Sequence, residues 1–247
     1  MNIIGIDSAT ARFSVALAVC AGKEKSNEAE TWLFEADAGM RHSQLAIEGM
    51  QVLMQKAGLE PENLDGVVCC GGPGSFTGLR IGFSAAKGLA LSLGIPFAPI
   101  PTLDCMAYPL SRWPGIAVPV IDAKKKAFFC CLYRQGQKIS CDMDADPQEI
   151  AAAIAKNLLP PAYNEQILLF GPDAQMLYGQ LTQLQGEEAQ AVKAAAVCTE
   201  NMPWGNAGAL VKIALETDVF AGDDTDKNLL SGPQYIRKSD AEINLGK

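Results

Sequence analysis

The chain contains one histidine, His42, among 247 residues. Zinc sites built on H-E-x-x-H or on a spaced pair of histidines are therefore excluded. A nucleophilic serine or cysteine would have to use His42 as its base, and no G-x-S-x-G nucleophile elbow occurs. We expect no metal-ion ligands and no nucleophilic catalysis, and we assign His42 a local capping role in front of the first helix.

Basic charge is also scarce. Lysine and arginine number 20 against 28 acidic residues, the net charge is −8, and the longest basic run is Lys124–Lys126. Because nucleic-acid affinity comes largely from cationic side chains that neutralise phosphates, we do not expect the chain to grip RNA or DNA except beside a basic partner. No charge-free apolar run has membrane-spanning length, and no basic region precedes the first apolar run. We expect a cytoplasmic protein without membrane association.

Cysteines at metal-ligand or redox spacing are absent. None of the eight cysteines forms a C-x-x-C motif, and the vicinal pairs Cys69-Cys70 and Cys130-Cys131 lie in apolar runs typical of strands. Neighbouring residues of a strand point to opposite faces, so neither pair suits one metal ion. We expect the cysteines to be reduced and mostly buried as small apolar side chains.

Phosphate-binding motifs are incomplete as well. Residues 71–80, GGPGSFTGLR, follow an apolar strand but lack the G-K-[S/T] ending of a Walker loop. Their glycines also miss the G-x-G-x-x-G spacing of a dinucleotide loop. A helix that begins here exposes N–H groups that suit an anion, and Ser75 is a suitable N-cap. For Ser75 a structural cap is favoured over a ligand contact.

What the sequence does contain is a regular alternation of strands and helices. Apolar and helical spacing predicts the order βββαβαβ, at residues 2–7, 13–20, 31–36, 43–57, 66–70, 76–93 and 97–101. Gly58 and Gly94 mark the ends of the two helices. We assign residues 1–103 to an N-terminal lobe.

A second copy of this unit begins after Trp113-Pro114-Gly115. The segments 3–18 and 119–133 each place an apolar strand that ends in aspartate, Asp7 or Asp122, before a polar turn and a second strand. A strand at 167–170 and helices at 147–159, 174–184 and 207–215 complete a shorter copy. We assign residues 104–247 to a C-terminal lobe. Similarity at a long period indicates duplication, with a coincidental match as the alternative.

Two βββαβαβ lobes, each with an aspartate ending its first strand, are typical of the α/β actin, Hsp70 and sugar-kinase fold, which is ribonuclease H-like. In that fold the two carboxylates face a cleft that holds nucleotide phosphates and metal. Asp122 is followed by Ala123 and three lysines, without the glycines that let backbone approach a phosphate. We predict a degenerate cleft. Its vestigial nucleotide-binding residues would be Asp7, Ser8, Ser75 and Asp122.

The helix predicted at 76–93 carries small residues at every fourth position. Gly74, Gly78, Gly82, Ala86 and Ala90 form a glycine track that lets another backbone come close. Glycine inside a helix costs up to about 1 kcal/mol relative to alanine, so the track indicates a close contact. The contact is either internal packing in a layered lobe or pairing with another subunit. For subunit pairing, leucine at Gly78 or Gly82 would block assembly without unfolding the lobe.

Residues 72–82, GPGSFTGLRIG, and the AKGLA of residues 86–90 resemble the signature of the TsaB (YeaZ) family of tRNA threonylcarbamoyladenosine biosynthesis proteins. Weaker similarities run along the chain: Ile6-Asp7-Ser8, His42-Ser43, Asp122-Ala123 and the tail at 233–237. Lys124 and Lys125 stand where the family usually has arginines, which keeps the charge but loses bidentate geometry. Ala9 replaces a usual hydroxyl residue.

The resemblance implies an actin-like fold and a non-catalytic partner that activates TsaD, the catalytic paralogue, which carries histidine metal ligands that this chain lacks. With TsaD and the ATPase TsaE, such a protein takes part in transferring a threonylcarbamoyl group to the adenosine next to certain tRNA anticodons. The resemblance implies no tightly bound cofactor, allows ATP or ADP at the complex interface, and implies tRNA contact only through the complex. The alternative is a self-sufficient actin-fold ATPase or kinase.

Family members pair through the helices of the first lobe, as heterodimers with TsaD or as homodimers. The resemblance therefore favours the subunit-pairing interpretation for the helices at 43–57 and 76–93. The interface residues predicted on this basis are Leu45, Met50, Met54, Gly78, Leu79, Gly82, Phe83 and Ala86.

Overall fold

The computed structural model describes residues 1–20, 29–39, 41–160, 165–199, 204–217, 219–220 and 224–236. The chain divides into two units. Met1–Met106 and Pro203–Gln234 form the first, and Ala107–Met202 and Tyr235–Lys247 form the second.

The first unit is built on a five-stranded sheet. Its strands are β1 (Asn2–Asp7), β2 (Arg12–Val19), β3 (Glu30–Asp37), β4 (Gly66–Cys70) and β5 (Phe97–Ile100). They lie in the order β3-β2-β1-β4-β5, with β1, β2 and β3 antiparallel and β1, β4 and β5 parallel. β1, β2 and β4 are buried almost throughout, which explains their near-continuous apolar sequences.

Helices cover both faces of this sheet. On one face lie α1 (His42–Ala57) and α2 (Phe76–Leu93), and Ile4 and Ile6 of β1 share one buried cluster with Leu53 and Phe83 from these helices. Both helices end at a left-handed glycine, as predicted. The short α3 (Thr102–Ala107) follows β5.

The opposite face of the first sheet is covered by α7 (Ala207–Glu216). Side chains alternate along β1, and a Cβ atom at Gly5 would lie 3.0 Å from Val211 of α7. The predicted lobe of residues 104–247 is therefore wrong at this point, because the late helix belongs to the first unit. The physical reason is burial. Because α7 is apolar on most sides, it packs on the face of the first sheet opposite α1 and α2.

The second unit repeats the plan. Its main strands are β6 (Ile116–Lys124), β7 (Ala127–Cys130), β10 (Met143–Ala145), β11 (Ile167–Phe170) and β12 (Ala196–Cys198), and a small hairpin, β8 (Tyr133–Arg134) with β9 (Gln137–Lys138), pairs with β6. Their order, β10-β7-β6-β11-β12, matches the first sheet strand for strand. The helices of this unit are α4 (Pro147–Asn157), α5 (Ala174–Leu181) and α6 (Glu187–Ala195). The predicted duplication and fold class are confirmed.

The seven cysteines whose side chains the structure describes are all free, and six of them are buried. Burial raises the pKa of several of these thiols, including Cys69 and Cys70. The prediction that the cysteines are mostly buried is confirmed for these seven, their reduced state stays a prediction, and the side chain of Cys198 lies outside the described residues. Within the described ranges, no helix has the length and apolar character needed to cross a bilayer.

Candidate functional site

The glycine track of α2 packs against its own lobe, at the turn between β1 and β2. A Cβ atom at Gly78 would overlap the carbonyl oxygen of Ser8, and one at Gly82 would overlap the Ser8 hydroxyl. At Gly74 the Ala9 carbonyl oxygen would lie only 2.6 Å away. The backbone that approaches the track is therefore the β1–β2 turn of the same chain.

Hydrogen bonds fix this turn on α2. The Ser8 hydroxyl donates to the Gly78 carbonyl oxygen at 2.7 Å, and the Ser75 N–H donates to the Ala9 carbonyl oxygen at 2.7 Å. The Ser75 hydroxyl accepts the Gly78 N–H at 3.3 Å, which confirms the predicted structural N-cap. Ser8 is buried, and its hydroxyl is used inside the lobe instead of facing a nucleotide.

Asp7 ends β1 as predicted, but its carboxyl group is fully buried. Oδ1 accepts the Ala9 N–H at 2.9 Å, and Oδ2 accepts the backbone N–H and the side-chain amide of Asn206 at 2.9 and 3.0 Å. Burial raises the pKa of Asp7 above its ordinary value, and the bonds from Ala9 and Asn206 partly offset the rise. The carboxyl group thus holds its own lobe together, whereas an actin-like ATPase would direct it at metal and phosphate.

The two Asn206 donors to Asp7 lie at the N-terminus of α7, where helix N–H groups lack intrahelical partners. Next to it, the Ala207 N–H donates to the Ser14 hydroxyl at 3.1 Å and the Gly205 N–H donates to Glu35 Oε1 at 2.6 Å. Asp7, Ser14 and Glu35 of the first sheet therefore accept the N–H groups at the N-terminus of α7, a position that would otherwise suit an anion. Sequence reasoning missed this contact, because Asn206 lies 199 residues from Asp7.

Asp122 occupies the corresponding turn of the second unit. Its Oδ1 accepts the Lys124 N–H at 2.7 Å, and its Oδ2 pairs with Lys124 Nζ at 2.7 Å. The Asp122 N–H donates to Asp173 at 2.7 Å. Lys124, Lys125 and Lys126 all have positive φ, at 62°, 55° and 64°, a conformation that glycine adopts more readily. This turn presents lysine side chains where a phosphate cradle would use glycines, in agreement with the predicted degeneracy.

His42 does not cap α1, contrary to the prediction. The helix begins at His42 itself, with Arg41 at the N-cap and no side-chain capping bond. The imidazole packs edge-on against Phe13 with ring centroids 6.0 Å apart, and Nδ1 is buried without a hydrogen-bond partner in the described part of the chain. Burial lowers the pKa of His42, which favours the neutral ring.

Most of the predicted interface residues lie in the interior of the first unit. Buried among them are Leu45, Met54, Gly78, Leu79, Gly82, Phe83 and Ala86, and Met50 is partly buried against the same cluster. This burial is that of the chain by itself, and the assignment of these residues to a subunit interface stays a prediction. Within the chain, the second apolar side of each helix packs on the sheet, the neighbouring helix and the β1–β2 turn.

The sides of α1 and α2 that point away from the sheet are nevertheless partly apolar. Ile47 and Val52 of α1 are 57% and 42% exposed, and Phe76 and Leu91 of α2 are 39% and 65% exposed. Gly88 lies on the same side of α2 and has no atom within 4 Å of its Cβ position. We call these five residues the outer helix face.

The C-terminal part of the first unit lies beside the β4–α2 loop. Lys87 Nζ donates to the carbonyl oxygens of Leu229, at 2.8 Å, and Ser231, at the end of α8 (Asp224–Leu230). The Gln234 N–H donates to the Gly71 carbonyl oxygen at 2.8 Å. The tail motif at 233–237 thus contacts the glycine-rich motif, although Arg237 lies outside the described residues. Sequence reasoning had no signal for this long-range contact.

Among the side chains that the structure describes, no three His, Cys, Asp or Glu residues come together as metal ligands. The first unit's candidate residues Asp7, Ser8 and Ser75 do converge on the β1–β2 turn, where they bind protein groups. Asp122 stands in the second unit with Lys124 and Asp173. At the first turn this arrangement joins α2 and α7 to the sheet.

Comparison with known proteins places these features in a family. The model of the family described as TsaD, tRNA N6-adenosine threonylcarbamoyltransferase, matches residues 36–245. The Bacillus subtilis tRNA threonylcarbamoyladenosine biosynthesis protein TsaB is 31% identical over 134 residues, 54% of this chain and 56% of that protein. The Escherichia coli protein of the same name is 30% identical over 139 residues, 56% of this chain and 57% of that protein. The matches span little more than half the length of these relatives.

Solved structures agree on the fold. A Pseudomonas aeruginosa protein described as similar to peptidase YEAZ superposes with a TM-score of 0.69 at 19% identity, covering 96% of this chain and 99% of that one. YeaZ from the same organism superposes with a TM-score of 0.62 at 19% identity, covering 86% and 90%. Because the family model matches most of this chain, the chain belongs to the tRNA N6-adenosine threonylcarbamoyltransferase (TsaD) family, and proteins named TsaB are among its relatives.

Proposed function

We propose that this protein is a non-catalytic subunit that binds and activates a TsaD-type catalytic subunit in threonylcarbamoyladenosine formation on tRNA. The observation that carries the proposal is the Asp7 carboxyl group, which is buried and hydrogen-bonded to Ala9 and Asn206. A chain whose first-lobe aspartate is used in this way has lost the carboxylate that an actin-like ATPase directs at nucleotide. The names of the TsaB relatives supply the pathway.

The alternative, a self-sufficient ATPase or kinase, is disfavoured by the same site. It requires phosphate and metal to approach Asp7, which has no exposed surface. ATP or ADP would instead bind at the interface of the complex, with TsaE as the ATPase partner. In this proposal tRNA binds through the assembly, which the net charge of −8 supports because an acidic chain attracts few phosphates by itself. This function would be exercised in the cytoplasm.

For the pairing surface we propose the outer helix face. α1 and α2 lie next to each other on one side of the first sheet, so their outward sides adjoin. Single exposed apolar residues need no explanation, but four large ones on two adjacent helices are suited to association. Gly88 and Ser84 leave room on α2 for a close helix. The same surface serves a homodimer when the catalytic partner is absent.

Charged substitutions on this surface test the proposal. Ile47→Glu combined with Leu91→Glu is expected to weaken pairing with TsaD at least about tenfold, because two carboxylates would be buried without partners. Copurification and sedimentation with TsaD measure the loss, and tRNA modification should fall with it. Met176→Glu on α5, where Met176 is 47% exposed, is the matched control and should pair normally. Unchanged pairing of the double variant would show that another surface binds TsaD.

A further inference from the structure

Among the residues that the structure describes, no strand pairs with the outer edge of β3. β3 ends the first sheet and pairs with β2 through all eight residues without a register shift. In an antiparallel edge strand, every second residue directs its N–H and C=O groups away from the neighbour. Within the described ranges, no backbone hydrogen bond from another element reaches Glu30–Asp37 on that outer edge.

The sequence of β3 contains few of the features that prevent another strand from pairing with an exposed edge. ETWLFEAD contains neither proline nor lysine, the residues that most often protect natural edges, and its centre consists of strong strand formers. Leu33, on the side of the sheet that α7 covers, is 47% exposed. On the same side, Glu35 accepts the Gly205 N–H. This hydrogen bond brings the preceding residue, Trp204, close to the edge, and Trp204 is 46% exposed.

The charge of the edge indicates the chemistry of its occupant. The described segment 29–39 contains three carboxylates, Glu30, Glu35 and Asp37, and no basic residue. Asp37 forms an exposed ion pair with Arg12 of β2 at 3.5 Å, and with this one cation counted against the three carboxylates the edge keeps a net charge of −2 (1 − 3). A second copy of the chain would bring the same three carboxylates to the contact. Like charges across a strand pair are destabilising, whereas a strand with basic ends would pair with them.

We infer that the β3 edge is a docking site for an extended segment of another protein, one with lysine or arginine at its ends and apolar residues on the side of Leu33. The segment would bind by β-augmentation, with main-chain hydrogen bonds supplying affinity and the acidic edge supplying selectivity. This site lies on the sheet edge, away from the outer helix face of α1 and α2. Its existence therefore does not depend on the pairing proposed above.

A synthetic probe tests the inference with the full chain. The probe is an acetylated and amidated peptide of alternating valine and threonine with lysine at each end. We expect it to bind and to slow amide exchange at alternate residues of Glu30–Asp37. Replacing its lysines by glutamate, or its central residue by proline, should weaken binding at least about tenfold, because these changes remove charge pairing or a ladder donor.

Two chain variants complete the test. Leu33→Lys should weaken probe binding at least about tenfold, whereas Leu159→Lys, at a residue 41% exposed in the second unit, should leave it unchanged. No binding, equal binding of the lysine and glutamate peptides, or full binding by Leu33→Lys would each overturn the inference. A dimer of the chain alone that Leu33→Lys dissociates would overturn it too, by showing that the occupant is a second copy.

Discussion

Replacing Gly78 by alanine is expected to lower the free energy of unfolding by about 1–3 kcal/mol or more, the range found for overpacking an interior. The new Cβ atom would overlap the backbone carbonyl oxygen of Ser8, and a backbone atom cannot rotate away as a side chain can. The β1–β2 turn would have to move off α2, with loss of the Ser8–Gly78 hydrogen bond. Chemical denaturation of the isolated chain measures the change.

Gly88→Ala is the matched control for this substitution. It lies in the same helix, and its Cβ position has no neighbour within 4 Å. Alanine there should raise stability by up to about 1 kcal/mol, because alanine is the better helix former. If instead Gly78→Ala kept full stability and only prevented subunit association, the track would face another molecule and the packing described here would be wrong.

The second large effect is expected at Asp7. Asp7→Ala removes the acceptor of the Ala9 N–H and of two Asn206 donors. A buried donor left without a partner costs about 1–3 kcal/mol, so we expect a loss of about 2–4 kcal/mol together with loosening of α7. Thermal and chemical unfolding measure the loss, and hydrogen exchange in Ala207–Glu216 locates it. Asp122→Ala, at a turn where the partner Lys124 is largely exposed, should change stability by less than about 1 kcal/mol.

The Asp7 variant should also show a pH dependence of definite sign. Burial raises the pKa of Asp7 in the folded state above its ordinary value. The contribution of this carboxyl group to stability is therefore fully present at low pH and decreases as the pH rises through the folded-state pKa. The difference in unfolding free energy between wild type and Asp7→Ala should be larger at mildly acidic pH than at neutral pH. A difference that grew toward neutral pH would mean that the folded protein stabilises the charged carboxylate.

Local patterns in the sequence predicted most of the elements. Strands at 2–7, 66–70 and 167–170 and the C-terminal ends of both first-lobe helices agree with the structure, because buried strands and left-handed glycine caps leave strong short-range signals. β10, β12 and α6 were not predicted. Each is short, and the strands β10 and β12 have only three residues each, too few to establish a period.

The site was only half predictable. The spacing of Gly74, Gly78 and Gly82 correctly indicated a close backbone approach, but spacing cannot identify the approaching backbone, which is the turn at Ser8 and Ala9. In the same way, the position of Asp7 at the end of β1 was predicted, while its partner Asn206 required the tertiary fold. Contacts between segments far apart in sequence leave no periodicity. For that reason the sequence did not show that most of the predicted interface residues are buried within their own lobe.

The central proposal is that this chain activates a catalytic partner and performs no chemistry alone. A reconstituted modification assay tests it most directly, with tRNA, threonylcarbamoyl adenylate, TsaD and TsaE, each with and without this chain, and with this chain alone. We predict modified tRNA only when TsaD and this chain are both present. Asp7→Asn should retain activity to the extent that it folds. Modified tRNA or ATP turnover from this chain alone, abolished by Asp7→Asn in a folded protein, would contradict the account.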